Sequence, residues 1–269
     1  LDEDGWVVGG IIGATLLDTL ADVRCRQRLD DAAGGRPVLL RDDSMHNRWV
    51  SSRALEFMGV GESTPDPEGG RYVRDAHGLL TGVLHELAST VAESTFAATI
   101  VDSQSRVRTA VATALRVLNS YGFTSAHDAA TMGPAYDALR DLEDSGELSA
   151  RVVSSLPVRP FLEEGIVGDQ LIERVRRDPG ELVRPDFVKV VMDGVPTTRT
   201  TALLEPYLCT RGEEPTTGEL YWMRADLLEQ VRRCYDRGLG AKFHATGDAS
   251  VRLVLDVVEQ VRREYDAGP

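Results

Sequence analysis

Four times between residues 122 and 258 a short apolar run gives way to a segment whose apolar residues recur at helical spacing. The runs cover residues 122–127, 151–158, 186–193 and 240–245, and they read as buried parallel strands. Between and after them lie Tyr136, Leu139 and Leu142; Leu171, Ile172 and Val175; Leu227, Leu228 and Val231; and Val251, Val254, Leu255 and Val258, each set on one helical face. Strand and helix in alternation predict an α/β chain with a parallel sheet, either doubly wound or part of a (β/α)8 barrel. No GxGxxG follows a strand, so a dinucleotide site has no support and a barrel segment is the better expectation.

The first hundred residues follow another pattern. A helix is expected over 16–29, a strand over 37–41 and a helix near 49–58, then a hairpin over 71–84 turning at 75–78. Residues 1–105 are therefore expected to form an α+β insertion subdomain over the barrel mouth, with 106–269 as the barrel part.

Composition narrows the partners. The formal charge is -13, without a Lys/Arg-rich run, which argues against nucleic acid or anionic lipid. No segment reaches about 18 apolar residues, so no membrane span is expected. Cys25, Cys209 and Cys234 are widely spaced and lack CxxC pairing, which suggests reduced thiols and a cytoplasmic setting. The opening Leu-Asp-Glu-Asp-Gly-Trp has no initiator Met and reads as an interior start.

Of the 30 basic residues only Lys189 and Lys242 are lysine, and both sit in apolar strand runs. Strand alternation puts Phe187, Lys189, Val191 and Asp193 on one face. A lysine there either pairs with a carboxylate or, with its pKa lowered by burial, offers a neutral amine. His244 ends its strand, where (β/α) barrels carry their chemistry, and is either a core histidine or a metal ligand. His127 ends another strand and admits the same two readings, ranked below His244. His46 lies in a polar stretch after a strand, as a substrate contact or a locally bonded residue, while His77 reads as a turn residue and His85 as an exposed hairpin end. The sequence has no GxSxG, HExxH, EF-hand or Walker loop, which leaves metal-assisted hydrolysis with ligands spread over several strands.

Several ordered motifs together resemble one family. They are Pro37-Val-Leu-Leu with His46, Trp49 and Ser52-Arg-Ala-Leu; Gly69-Gly-Arg-Tyr-Val-Arg-Asp with Thr81-Gly-Val-Leu; Gly122-Phe-Thr-Ser-Ala-His-Asp; Lys189-Val-Val-Met-Asp-Gly continuing to Arg199-Thr-Thr-Ala-Leu-Leu-Glu-Pro-Tyr; and His244-Ala-Thr-Gly-Asp. The chain resembles the amidohydrolase superfamily, and within it the YtcJ-like proteins related to N-substituted formamide deformylase. The resemblance implies a partial TIM (β/α)8 barrel of the metal-dependent hydrolase type, strands two to five, and a small amide-like substrate cleaved at a non-peptide C–N bond. It implies one or two divalent ions, zinc by default, held by Lys189, potentially N6-carboxylated, and by His244. His46, Arg199, Asp193 and His127 stand as substrate-side candidates. Ser44-Met45 departs from the Asp-Gly pair usual before the histidine, and Lys242 is a second lysine on the face of His244. The family's strand-one HxH has no counterpart among the five histidines, so about half of a metal site is expected in this stretch.

Two other readings stay open: a catalytically inactive truncated relative that acts as a binding protein, and a lyase forming a Schiff base at Lys189. Open strand edges would also favour self-association into a homo-oligomer.

Overall fold

A computed structural model describes residues 5–100, 102–160, 166–208 and 215–266. The first sheet is built from β1 (Val7–Ile12), β2 (Val38–Asp42), β3 (Asn47–Val50), β4 (Gly70–Arg74) and β5 (Leu80–Glu86), in the order β1-β2-β3-β5-β4. Only β1 and β2 are parallel; the other pairs are antiparallel. Helices α1 (Leu17–Leu20) and α2 (Val23–Ala33) join β1 to β2, α3 (Ser52–Phe57) follows β3, and α4 (Leu87–Ala97) follows β5. Leu39, Val50, Leu55, Tyr72, Leu84 and Ala88 close a core between this sheet and its helices.

The second sheet contains β6 (Ser125–Asp128), β7 (Arg151–Pro157), β8 (Val183–Val191) and β9 (Gly240–His244), parallel and in sequence order. Helix α5 (Ser103–Ser120) leads into it, and α6 (Gly133–Asp144), α7 (Gly168–Arg176), α8 (Arg224–Asp236) and α9 (Asp248–Asp266) follow the strands. Val188, Val190 and Met192 pack with Leu139, Leu142, Leu171, Ile172, Leu227 and Val257 in one apolar core. Because side chains alternate along a strand, Phe187, Lys189 and Val191 take the opposite face. The period-2 and period-3.6 patterns thus place the helices on one face of the sheet and the lysine on the other.

Several expectations need correction. The helix expected over 16–29 is broken at Asp22, whose carboxylate accepts the Arg24 N–H at 2.7 Å and caps α2. Trp49 lies in β3, and the helix after it starts only at Ser52, with the Ser51 hydroxyl as its cap. β1, with two consecutive glycines in its six residues, had no apolar alternation to mark it. His85 is no exposed hairpin end: it is half-buried within β5 between Asn47 and Arg71 of the flanking strands. The hairpin itself is as expected, closed by Asp75 N–H to Leu79 O at 2.9 Å. Cys234 is buried and Cys25 half-buried, both as free thiols, while Cys209 lies outside the described residues. Among the described residues no helix is long and apolar enough to cross a membrane.

Candidate active site

A cavity of about 630 Å³ opens between the two sheets. Met45, His46, Glu86 and Leu87 line it from the first; Pro157, Lys189, Val191, Tyr221 and Trp222 line it from the second.

His46 is carried on the turn between β2 and β3. Fully buried Asp42 organises that turn, accepting from Asn47 N–H at 3.0 Å, Asn47 Nδ2 at 2.8 Å and Ser44 Oγ at 2.6 Å. The Ser44 hydroxyl in turn accepts the His46 N–H at 3.2 Å, so the serine that departs from the family motif is part of the turn. Met45 adopts φ 65°, a left-handed conformation that a glycine would take without steric cost. Behind the turn, Glu93 of α4 receives Arg41 at 2.8 Å and Arg48 at 2.5 Å, bolting the helix to β2 and β3.

The His46 imidazole donates from Nδ1 to Glu86 Oε2 at 2.7 Å, and its ring centroid lies 5.1 Å from that of His244. Glu86 Oε1 accepts the Thr200 hydroxyl at 2.5 Å. Burial, followed by the Glu86 charge, pushes the Tyr221 phenol above its ordinary pKa. Glu86, Thr200 and Tyr221 were not singled out in the sequence: they lie in different segments, and only the tertiary contact makes them a group.

On β9, His244 Nε2 donates to the Gly194 carbonyl at 3.1 Å. That bond puts the ring proton on Nε2 and leaves Nδ1 as the lone-pair nitrogen. Burial, partly offset by this hydrogen bond, lowers the His244 pKa. On β8, burial and then the neighbouring Lys242 charge lower the Lys189 pKa. Lys189 and Lys242 are register partners on adjacent strands, and His244 lies opposite Val191. Lys189, Lys242 and His244 thus share the face turned from the helices.

The remaining candidates are placed elsewhere. Asp193 follows the end of β8 and is fully buried; its carboxylate accepts Ala202 N–H at 3.0 Å, Thr246 N–H at 3.0 Å, Gly247 N–H at 2.9 Å and Thr246 Oγ1 at 3.2 Å. Those bonds tie the end of β8 to the β9–α9 turn, and the carboxylate does not reach the cavity wall. His127 is exposed on the edge strand β6, bonded through Nε2 to Ser155 Oγ at 2.8 Å and packed on Phe187 at 4.7 Å between centroids. Arg199 is exposed with φ 58° and does not line the cavity.

The amidohydrolase family model matches residues 1–268. The chain belongs to the amidohydrolase family. This family member is 27% identical over 267 residues to the YtcJ protein of Bacillus subtilis (strain 168), covering 96% of this chain and 47% of that protein. It is 25% identical to an N-substituted formamide deformylase from Arthrobacter pascens, over 86% of this chain and 42% of the relative. The chain spans about half the length of the curated relatives it matches. Among solved structures, an uncharacterized metal-dependent hydrolase from Pyrococcus horikoshii OT3 superposes with TM-score 0.63 at 22% identity, over 88% of this chain and 44% of the other. A second, from Pyrococcus furiosus, gives 0.62 at 23% identity, over 95% and 48%. These likenesses establish a shared fold.

The side chains fit a divalent cation in part. A histidine that donates one ring N–H to a backbone carbonyl and keeps the other nitrogen basic is the arrangement metal-ligating histidines use. His244 has it, and Lys189 offers an amine on the same face. Among the described residues no group of three or more His, Cys, Asp or Glu could by itself enclose an ion.

Proposed function

We propose that this family member is the central part of a metal-dependent amidohydrolase that cleaves a non-peptide C–N bond of a small amide. The observation that carries the reading is His244, fixed by the Gly194 carbonyl with its basic nitrogen on the face that bears Lys189. His244 and Lys189 would hold the ion, zinc being the default for nitrogen and carboxylate donors, with further ligands from outside the described residues. A bound divalent ion brings the pKa of its water down to about 7 and so supplies hydroxide near neutral pH.

The protein's own groups account for the rest. Burial and Lys242 favour the neutral Lys189 amine, the form that takes up carbon dioxide to give a carboxylated ligand. Leu87, Val158, Leu220 and Trp222 offer an apolar wall for the non-reacting part of an amide, and His46 meets its polar end. Residues 1–105 act as a subdomain over the mouth of a barrel to which 106–269 contribute strands two to five.

The test is metal content per chain together with hydrolysis of a panel of small amides. One or two divalent ions per chain, activity lost on chelation, and metal lost in His244→Ala are the expected results. Tight metal binding unchanged by His244→Ala would overturn the assignment. A second reading, a lyase forming an imine at Lys189, draws on the same lowered pKa; borohydride trapping of a carbonyl substrate on Lys189 would favour it.

A further inference from the structure

Three observations converge on Glu86, which lines the cavity beside His46. Its backbone sits at φ 51°, ψ -124°, a conformation L-residues rarely adopt, and persists there because the surrounding contacts fix it. Its side chain is 6% exposed and its two oxygens serve different parts of the fold: Oε2 accepts from His46 Nδ1 at 2.7 Å, Oε1 from Thr200 Oγ1 at 2.5 Å. Gly194 completes the fit, because a Cβ at that position would collide with both Glu86 Oε1 and Thr200 Oγ1. The same glycine carbonyl receives His244, so the two imidazoles are set in place from adjoining atoms.

We infer that Glu86 is a positioning residue for His46. Its carboxylate holds the imidazole in the Nδ1–H tautomer, making Nε2 the acceptor nitrogen, and through Thr200 it locks that ring to the β8 side, next to His244. A neutral imidazole without such a partner exchanges between two tautomers and rotates about χ2; a carboxylate on Nδ1 removes both freedoms. The His46 ring is thereby held in one orientation at the cavity wall, beside His244. The role in turnover rests on the hydrolase reading, but the tautomer does not.

The test is ring-nitrogen NMR of histidine-labelled protein, with the His46 signals assigned by their loss in His46→Gln. The expected result is a protonated Nδ1 with a strongly downfield proton that moves upfield in Glu86→Gln. A His46 found as the Nε2–H tautomer in the unsubstituted protein overturns the inference, even if Glu86→Gln fails to fold. So does a His46 signal unmoved by a folded Glu86→Gln. Where an amide substrate is turned over, Glu86→Gln lowers kcat roughly tenfold to a hundredfold with KM and metal content nearly unchanged; an unchanged kcat also overturns it. Failure of the protein to hydrolyse any amide would instead remove the hydrolase reading and leave the tautomer result standing.

Discussion

Lys189 of β8 and Lys242 of β9 are register partners on neighbouring parallel strands, so the chain's two lysines project side by side from one sheet face. Every other basic side chain is arginine. Arginine stays protonated in any such setting, whereas a lysine amine can lose its proton.

The pair predicts abnormal amine reactivity. Burial and then the Lys242 charge lower the Lys189 pKa, so at pH 8 a larger neutral fraction exists than for a free lysine. In chelator-treated protein, Lys189 is expected to acylate faster than a model amine, read by peptide mass mapping. Lys242→Met removes the neighbouring charge and should slow the reaction; equal rates in the two proteins would contradict the coupling.

Gly194→Ala is expected to separate Glu86 from Thr200. The added methyl would meet Glu86 Oε1 and Thr200 Oγ1, and the carboxylate must move to relieve the contact. Overpacking of this kind costs about 1–3 kcal/mol. Urea unfolding should show that loss, and the His46 ring-nitrogen spectrum should change with it.

Acid sensitivity should concentrate at Glu93. Burial raises its pKa, but the Arg41 hydrogen bond and the Arg48 and Arg41 charges outweigh burial and leave it below 4.5. A lowered carboxyl pKa contributes stability above the unfolded value that is lost as pH falls through the folded value. Stability should therefore drop below about pH 4.5, and Glu93→Gln should flatten that part of the profile. At pH 7 the substitution leaves Arg48 buried without its carboxylate, at an expected cost of about 3 kcal/mol.

Asp193 and His127 should behave oppositely. Asp193→Ala strands the buried backbone N–H groups of Ala202 and Gly247 and frees that of the exposed Thr246, and a loss of about 3 kcal/mol is expected in chemical denaturation. His127→Ala removes one bond at an exposed edge, so stability should change by no more than about 0.5 kcal/mol and KM by about twofold or less. A large KM effect of His127→Ala would return that residue to the substrate side.

The sequence by itself determined the second sheet. A parallel strand buried on both faces must be an apolar run, and its covering helices must carry apolar stripes at 3.6 spacing, so β7 to β9 and α6 to α8 were visible as patterns. On α9 the expected face was misplaced, since Val251 and Leu255 are exposed while Val257 and Val261 are buried. Period-2 alternation likewise put Lys189 on the face away from the core, and the strand-end rule pointed to His244. Local pattern failed where a chain segment takes its structure from distant partners. β1 is a strand because β2 supplies its ladder, not because its glycines favour one. Alternation put Asp193 on the Lys189 face, but it could not name the partners of its carboxylate, the backbone amides of residues 202, 246 and 247.

Only the tertiary structure decided the group around His46. Glu86 is 40 residues from His46 and 114 from Thr200 along the chain, and no spacing rule links such separations. Hydrogen-bond partners are chosen by proximity in space, which the packing of one sheet against the other creates. The sequence carries the chemistry of each side chain; which carboxylate meets which imidazole is a property of the fold.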